Sequence, residues 1–515
     1  MTVLPEGLDA LLDVEQLRAS DAWAIEERGI PGVELMERAA EGLARVVDEV
    51  APGGAVVFVC GGGNNGGDGY AAARLLRAAG RSASVLFTSD PATLSGDAAV
   101  MRDRLPGDAP QPFSAGALAG AAVIVDAMLG TGFSGTPREP VAGAIAAINA
   151  LQDVPVAVVA ADVPSGVDAA TGAIEADAVR ADVTATFHAA MPGLWILPGK
   201  AHAGRVEVVD IGIPWEGNPA QPWIGLIDED ILSSYPRRGR DSTKFASGHV
   251  LVAGGARGLT GAPCLASLAA MRAGAGYVTA CVPGSLNEIF EVKLTEVMTA
   301  PLDDRGAGTH LEAGADEVVE RARQRGGALV LGPGIGRSDG ALAFARRVAH
   351  DADVALVLDA DGLNAHAGAP ESLAARSKPT VLTPHAGELG RLLEVESSAV
   401  NARRLEHARE AARRSGAIVV LKGDDTIVAE PEGRVAISRG GAPALATAGT
   451  GDVLSGVLGA FLARGMAPFE AACAAVFAHA EAGRRAALVL DGPDGVIASD
   501  VVDELAHTLS ADRLE

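Results

Sequence analysis

Short apolar runs alternate with helical patterns along most of the chain. The pattern from Val14 to Val50 predicts two helices, broken at Gly29–Gly32, where glycine and proline interrupt the helical period. Beyond them, apolar runs predict strands at 55–60, 83–88, 122–126, 154–161, 182–187 and 205–209. Because helical stretches separate several of these strands, the alternation predicts a parallel sheet covered on both faces.

The periodicity lapses between Gly212 and Arg240, where prolines accompany a small acidic cluster. Such a stretch is typical of a connection between domains, so we place a boundary near residue 220 and expect domains at 1–220 and 221–515. Further strands are predicted at 249–254, 277–282, 328–331, 354–358, 380–382, 417–421, 426–429 and 434–437, with helices at 262–273 and from 452 onward. The predicted fold class is α/β in both domains.

The composition limits the possible partners. A chain of 515 residues with 48% apolar composition is too long for one core, and a net charge of −24 opposes binding to nucleic acid or an anionic membrane. No signal peptide is visible, and no uncharged apolar stretch approaches the roughly 18 to 20 residues that span a bilayer. The four cysteines lie far apart without metal-ligand spacing, which predicts small buried side chains in a reducing compartment. We expect a cytoplasmic protein that binds small molecules.

A glycine-rich loop, Gly61–Gly69, follows the first predicted strand and precedes a helix. This arrangement forms a backbone cradle for phosphate or another polar ligand. The spacing also satisfies GxGxxG, with Asp90 at the distance of a ribose-binding acid, which is a weak dehydrogenase signal. Against it, Asn64, Asn65 and Asp68 place polar side chains where a pyrophosphate turn prefers small neutral ones.

Acidic and hydroxyl side chains follow the next strands of the predicted sheet. Asp126 ends one strand, and Asp162 and Ser165 follow another. Together with Asn65 they would lie at the carboxyl ends of neighbouring strands, where open α/β sheets bind ligands. One such aspartate alone is more often an Asx cap, but the set favours a site. A desolvated carboxylate there could move protons, and Asp162 is the candidate acid/base.

The segments NNGGDG, DAMLGTGFSG and ADVPSGVD resemble the NAD(P)H-hydrate epimerase domain over most of residues 10–215. The resemblance implies a Rossmann-like three-layer sandwich and a potassium ion held by Asn65, Asp126 and Ser165, whose oxygen donors suit a hard cation. It also implies contacts to the hydrated dinucleotide from Asn64, Asn65, Gly66, Gly67, Asp68, Gly130, Thr131, Gly132, Phe133, Ser134, Gly135, Thr136 and Asp162.

The second half carries its own ordered set of turn motifs. They read TGAP at 260–263, GPGIG at 332–336, DADGLN at 359–364, TPHAGE at 383–388, KGDDT at 422–426 and GTGD at 449–452. No GxxxxGK[ST] loop is present, which argues against a Walker nucleotide site. The GTGD helix start is similar to the anion hole of ribokinase-like folds. His385 alone would more often be structural, but its place at a strand end favours function.

This set resembles the NAD(P)H-hydrate dehydratase family over residues 240–510. The resemblance implies a ribokinase-like α/β domain that uses ADP with magnesium. It implies an ADP site formed by Lys422, Gly423, Asp424, Asp425, Thr426 and Gly451, and contacts to the hydrated nicotinamide from Ala262, Gly334, His385 and Asp452. Asp452 is the expected catalytic base. The family's His-Lys-Gly near the domain start is replaced by Thr243-Lys244-Phe245.

The leading hypothesis is a bifunctional repair enzyme that epimerises the R and S hydrates and dehydrates the S form at the expense of ADP. Its expected partners are NADH hydrate, NADPH hydrate and ADP, with no nucleic acid and no membrane, in a homo-oligomer. One alternative is a vitamin or sugar kinase in the second domain. Another is a first domain that only senses a ligand or binds protein, although such a module would be expected to lose its acidic residues.

Overall fold

The computed structural model describes residues 4–510. Its contacts divide the chain into two compact units, one of residues 10–224 and one that joins Leu4–Asp9 to the chain from Gly225 onward. The division therefore falls a few residues beyond position 220. The contribution of residues 4–9 to the second unit has no signal in the sequence pattern.

The first unit is a doubly wound α/β layer structure. The N-terminal strand β1 (Leu8–Leu11) does not join the sheet of this unit; it is an edge strand of the larger sheet described below for the second unit. The first unit's strands are β2 (Ala55–Cys60), β3 (Ala83–Phe87), β4 (Gln111–Pro112), β5 (Ala121–Ala127), β6 (Ala157–Ala161), β7 (Val183–Phe187) and β8 (Arg205–Val209). Its helices are α1 (Val14–Glu26), α2 (Gly32–Val50), α3 (Asn64–Ala78), α4 (Gly96–Asp103), α5 (Val141–Asn149) and α6 (Lys200–Ala203).

The strands of this unit are all parallel, in the order β4-β3-β2-β5-β6-β7-β8. Strand order reverses between β2 and β5, so the carboxyl ends of these strands flank the crevice in which Rossmann-like sheets bind ligands. Alternate residues of β2 face opposite sides: Phe58 packs in a core with Leu43 of α2, and Val59 packs with Ile145 of α5. The predicted parallel sheet with two covered faces is confirmed.

The two predicted N-terminal helices are also confirmed. Asp13 caps α1 by accepting the Gln16 amide, and the Gln16 side chain accepts the Asp13 amide in return. Pro31 precedes α2 with extended backbone, which suits the residue before a helix. The break at Gly29–Gly32 therefore separates α1, which has a side-chain cap at its start, from α2, which has none.

The second unit contains a larger mixed sheet. Its strands are β9 (Ile224–Ile227), β10 (His249–Ala253), β11 (Tyr277–Pro283), β12 (Met298–Leu302), β13 (Ala328–Leu331), β14 (Ala355–Leu358), β15 (Thr380–Leu382), β16 (Ile418–Leu421), β17 (Ile427–Ala429) and β18 (Val435–Ser438). Its helices are α7 (Gly261–Arg272), α8 (Asn287–Lys293), α9 (Ala315–Arg325), α10 (Asp339–Asp351), α11 (Ala360–Asn364), α12 (Ala386–Leu393), α13 (Ser397–Ala402), α14 (Arg404–Ser415), α15 (Thr450–Ala463), α16 (Pro468–Val489) and α17 (Ala498–Thr508).

The eleven strands follow the order β1-β9-β18-β17-β16-β15-β14-β13-β10-β11-β12. Strands β10 to β16 are parallel to one another, whereas β17 pairs antiparallel with both β16 and β18. Strand order reverses between β10 and β13, which places a second ligand crevice at their carboxyl ends. The α/β class predicted for this unit is confirmed, with β9 and β12 added to the predicted strands.

All four cysteines are free and buried, as predicted. Among residues 4–510, no helix combines the length and apolar character needed to cross a membrane.

Candidate active sites

The first candidate site begins at the N terminus of α3. Asn65 is buried, and its Nδ2 donates a 2.9 Å hydrogen bond to the carbonyl of Leu129. Its Oδ1 is buried without a hydrogen-bond partner. An orphaned buried carbonyl oxygen carries a free-energy cost, so it marks a place where a cation or a donor belongs.

Asp126 and Ser165 form a second part of the same site. Asp126 lies at the end of β5 with no exposed surface, and its carboxylate accepts the Ser165 hydroxyl at 2.6 Å and the Ser165 amide at 2.7 Å. Ser165 Oγ also accepts the Leu129 amide at 2.9 Å. Burial raises the pKa of Asp126 to about 6, although the hydrogen bonds from Ser165 and Met128 oppose that shift. Asn65, Asp126 and Ser165 thus converge around Leu129.

Asp162 follows β6 on the next strand of the sheet. Its backbone is left-handed, with φ of 67°, a conformation that costs a non-glycine residue free energy and is concentrated at functional sites. Its Oδ2 accepts the Thr131 amide at 3.0 Å. Burial raises the pKa of Asp162 to about 6, and the hydrogen bonds from Thr131 partly offset this effect. Asp162 therefore has the tuned acidity expected of a group that exchanges protons near neutrality.

The charge of Asp162 acts on two further carboxylates, Asp68 and Asp21. Burial, followed by the charges of Asp162 and Asp21, raises the pKa of Asp68 well above its usual range. Desolvation by the surrounding protein, followed by the charge of Asp162, raises the pKa of Asp21 to about 6, although the residue keeps an exposed surface. Asp21 belongs to α1 and was not among the predicted site residues.

The glycines at the start of α3 serve close packing. A Cβ on Gly66 would lie 2.2 Å from the carbonyl of Gly61, and a Cβ on Gly67 would lie 2.9 Å from the Cα of Ala98 and the Sδ of Met36. Their missing side chains bring the helix start onto neighbouring backbone. Asn64, by contrast, is exposed.

The loop from Gly130 to Thr136 lies beside these groups. A Cβ on Gly130 would lie 2.8 Å from Asp162 Oδ2 and 3.2 Å from the Cβ of Asn65, so the backbone of this glycine packs against both side chains. From Gly132 to Thr136 the loop is open, with only Phe133 half-buried. Asp90, the possible ribose-binding acid, instead accepts the amide of Ala92 at 2.9 Å as a helix cap.

The second candidate site is built around Asp359, which follows β14 and is almost fully buried. Its Oδ1 accepts Lys422 Nζ at 3.1 Å, and its Oδ2 accepts the hydroxyl of Ser455 on α15 at 2.7 Å. Lys422 Nζ also lies 3.8 Å from Glu388 Oε2. Burial by itself would lower the pKa of Lys422, but the charges of Asp359, Glu388 and Asp452 raise it overall. Lys422 is therefore held as a cation.

Asp452 lies in the first turn of α15. Burial and the charge of Asp359 raise its pKa to about 7, with Lys422 opposing and Glu388 reinforcing that shift. A Cβ on Gly451 would lie 3.4 Å from Lys422 Nζ, so the helix start faces the ammonium group. A carboxyl group with a pKa near 7 thus stands beside a cation and a helix N terminus, which together attract anions.

His385 has a capping role within this site. Its Nδ1 accepts the amide of Gly387 at 3.0 Å at the start of α12, and its Nε2 lies 3.6 Å from Glu388 Oε1. Slightly over half of the His385 side-chain surface is exposed, at 55%. The imidazole is therefore fixed by the helix start and remains open to a ligand.

Ala262 and Gly334 are brought together at the other side of the crevice. Gly334 has a left-handed φ of 64°, and a Cβ built on it would lie 3.3 Å from the Cβ of Ala262. Its position therefore requires glycine on both conformational and steric grounds.

The loop of Lys422 to Thr426 is closed on itself. The Thr426 hydroxyl donates to the Gly423 carbonyl at 2.7 Å, and Asp425 is fully buried in an ion pair with Arg404 at 2.8 Å. Any contact of Asp425 with a ligand would therefore use its backbone. Asp424 accepts the Gly441 amide at 3.1 Å.

Several residues that organise the sites were missed from sequence. Asp359 ends a strand and could have been assigned a role by the argument used for Asp126. Ser455, Arg404 and Asp21 lie within helices, where a polar residue gives no sign in the hydrophobic period of whether it is buried, although Ser455 and Arg404 are. Their partners are more than 20 residues away in three of four contacts, at sequence separations that no local pattern reveals.

Comparison with known proteins gives full-length relatives. A family model described as NAD(P)H-hydrate dehydratase matches residues 250–505, and one described as YjeF-related protein N-terminus matches residues 32–193. The bifunctional NAD(P)H-hydrate repair enzyme of Salinibacter ruber is 39% identical over 98% of this chain and 96% of its own. The enzyme of the same name from Moorella thermoacetica is 36% identical over 97% and 96%.

Among solved structures, the ADP/ATP-dependent NAD(P)H-hydrate dehydratase of Bacillus subtilis, co-crystallised with ATP and Mg²⁺, is 27% identical. That likeness covers 56% of this chain and 97% of that one, with a TM-score of 0.46. The full-length relatives cover both units at identities well above 30%. The chain therefore belongs to the family of bifunctional NAD(P)H-hydrate repair enzymes.

Proposed function

We propose that each unit of this chain carries one step of coenzyme repair. The first unit, within residues 1–220, epimerises the R and S hydrates of NADH and NADPH, and the second, within residues 221–515, dehydrates the S hydrate with ADP. The observation that carries the proposal is the pair of carboxylates, Asp162 and Asp452, each with a raised pKa at a separate sheet crevice. The four reduced, buried cysteines support a cytoplasmic location.

In the epimerase site, Asp162 is the proposed acid/base. A hydroxyl on C6 beside the ring nitrogen is a hemiaminal, so the nitrogen lone pair helps to expel the oxygen once a proton reaches it. With a pKa of about 6, Asp162 can both donate and recover that proton near neutral pH. The Thr131 amide holds the carboxylate, and the open loop from Gly132 to Thr136, with Asn64 and Asp68, would contact the rest of the substrate.

The donor set beside it fits potassium. Asn65 Oδ1 is a buried oxygen without a partner, and Asp126 supplies a negative charge within the same group. Asn65, Asp126 and Ser165 would hold the ion, and all three offer hard oxygen ligands. The ion would supply a fixed positive charge at the switch point of the sheet. Asn65 and Ser165 also bond the Leu129 backbone next to Gly130, so they hold the loop that approaches Asp162.

In the dehydratase site, Asp452 is the proposed base for the C6 hydroxyl. Hydroxide leaves poorly, but a phosphorylated hydroxyl leaves readily when the ring nitrogen donates its electrons. Asp452 takes the hydroxyl proton, and the oxygen attacks the terminal phosphoryl group of ADP as AMP leaves. Phosphate then departs from C6 with the help of the nitrogen lone pair, and loss of the C5 proton to water restores the ring double bond of the coenzyme. The Gly451 amide and Lys422 stabilise the charge on the transferring group. Ala262, Gly334 and His385 would position the nicotinamide.

The nucleotide would lie along the loop of Lys422 to Thr426. The Thr426 side chain is bonded within the loop, and Asp425 is buried, so recognition there would be mainly by backbone. Magnesium commonly binds through substrate phosphates and one or two carboxylates, and Glu388, beside Lys422, is a carboxylate that fits this requirement.

Separate loss of the two activities tests the proposal. Asp162→Ala should slow epimerisation at least about 100-fold, and Asp452→Ala should slow dehydration of the S hydrate by a similar factor, because general acid/base catalysis contributes about 10²- to 10⁴-fold. Each variant should retain the other activity. Recovery of absorbance from hydrated NADH with ADP reports dehydration. Equal damage to both activities by either substitution would contradict the division, and transfer of phosphate from ATP to a stable alcohol would favour the kinase alternative.

A further inference from the structure

Epimerisation at C6 needs proton transfer on both faces of the ring. If the hydroxyl leaves as water from one face, the cation that remains is planar, and inversion requires water to add to the opposite face. The departing oxygen gains a proton and the arriving water loses one. A single carboxylate on one side can serve only one of these oxygens at hydrogen-bonding distance.

The N-terminal helix α1 brings a second carboxylate to the site. Gly132, in the loop whose Thr131 amide holds Asp162, would place a Cβ 3.6 Å from Nη2 of Arg18. Asp21 lies three residues after Arg18 on the same helix, hence on a neighbouring part of its surface. The α1 surface that carries Arg18 and Asp21 therefore lies next to the loop that carries the Asp162 contact.

Asp21 differs from the buried acids of this crevice in its access. Asp68 is buried, whereas Asp21 and Arg18 are exposed. Nevertheless, the charge of Asp162 acts on Asp21, and the charges of Asp162 and Asp21 both act on Asp68. The charged groups around Asp21 thus include Asp162 after β6 and Asp68 on α3, with Arg18 three residues earlier on its own helix.

A neighbouring oxygen indicates that the crevice is built for a ligand. Asn65 is nine-tenths buried, its Oδ1 has no partner, and its side chain lies against the same glycine, Gly130, that contacts Asp162. Asp162, one of the grouped acids, is therefore separated only by Gly130 from a side chain whose buried oxygen lacks a polar partner. Mutual repulsion would disfavour the grouping of these acids unless a ligand used it.

We propose that Asp21 is a second catalytic acid/base of the epimerase site, acting on the ring face opposite Asp162. The inference rests on the proposed epimerase function. In one direction, protonated Asp162 gives its proton to the C6 hydroxyl, the C6–O bond breaks, and water departs with the nitrogen lone pair forming the C=N bond. A water on the other face then attacks C6 and gives a proton to ionised Asp21. The reverse direction exchanges their roles, and no proton is gained or lost overall.

Exchange of the C6 oxygen with water distinguishes proton transfer on one face of the ring from proton transfer on the other. Each epimer, labelled with ¹⁸O at C6, can lose its label to water when the oxygen leaves and a new water adds on the same face. Asp21→Asn should slow epimerisation at least about 100-fold in both directions. It should abolish label loss from one epimer and leave label loss from the other within about threefold of the unmodified chain. Asp162→Asn should spare the opposite epimer.

Three controls distinguish a catalytic role of Asp21 from a loss of folding. Glu26→Gln removes a carboxylate from the same helix at an exposed position and should leave both rates unchanged. ADP-dependent dehydration by the Asp21→Asn chain verifies that the protein is folded, and Asp21→Glu should restore part of the epimerisation rate. Epimerisation by Asp21→Asn within threefold of normal, or equal loss of exchange from both epimers, would overturn the role of Asp21. Absence of epimerisation in the unmodified chain would instead refute the proposed function itself.

Discussion

Lys422 Nζ lies 3.1 Å from Asp359 Oδ1, and Asp359 is almost fully buried. Sixty-three residues separate the two in sequence, yet the parallel strands β14 and β16 bring them to the same edge of the sheet. A buried carboxylate requires a counter-charge, so Lys422 has a structural role in addition to its proposed contact with ADP.

Replacement of Lys422 by methionine should therefore lower stability. The change leaves the Asp359 charge buried without its cation, and we expect a loss of about 3 kcal/mol in the free energy of unfolding, measured by urea titration. Addition of Asp359→Asn should recover part of that loss because an amide needs no counter-charge. Arg347→Met, which breaks an exposed pair with Asp316, should cost less than about 1 kcal/mol. Equal losses for the two single variants would contradict this account.

The pH dependence of dehydration should report Asp452. As a base it must be ionised, and its pKa is raised to about 7. The value of kcat/KM for the S hydrate should accordingly fall about tenfold per pH unit below 7 and level off above it. Removal of the Lys422 charge in Lys422→Met takes away the group that opposes the shift, so the acid limb should move to higher pH. A limb that remains in place would indicate that another group controls it.

Potassium should stabilise the protein through Asn65. A ligand that binds only the folded state raises the melting temperature as its concentration increases. We expect a higher melting temperature in KCl than in choline chloride at equal ionic strength, measured without substrate. Asn65→Leu should remove this difference, while Asn287→Ala, at a half-buried position of the second unit, should retain it. Potassium dependence that survives Asn65→Leu would assign the ion to other residues.

Close packing of α3 should make Gly67 intolerant of a methyl group. The added Cβ would lie 2.9 Å from the Cα of Ala98, which is backbone of α4 and cannot rotate away. Gly67→Ala should cost about 1 to 2 kcal/mol in urea unfolding despite the better helix propensity of alanine. Gly116→Ala, where no atom lies within 4 Å, should change stability by less than about 0.5 kcal/mol.

Much of the fold follows from local pattern. The strands 55–60 and 328–331 have the predicted limits because each is a continuous apolar run buried in a parallel sheet. The strand Ile224–Ile227 was missed because it lies in the proline-containing stretch that indicated a connection. Met298–Leu302 was missed because it contains a proline and follows charged residues, and its pairing to β11 is a tertiary contact.

The candidate sites were also predictable only in part. The positions of Asp126, Asp162 and Asp452 at strand ends or a helix start could be predicted, because a sequence pattern defines such positions, whereas their catalytic and binding roles stay predictions. Their raised pKa values could not, because these arise mainly from burial and from charges brought together by folding. Nor could the Arg404–Asp425 pair, since a buried arginine within a helix looks like any exposed one.

The hydrogen bond from Ser455 to Asp359 has a consequence for α15. Ser455 lies one turn beyond Asp452, and its anchor is the end of β14, so the sheet restrains the rotation of the helix about its own axis. The Thr450 hydroxyl supplies a second anchor, because it donates to the carbonyls of Leu445 and Thr447 in the segment before the helix. The direction in which Asp452 projects is thus fixed from two sides, and a change of length in that segment would disturb one of them.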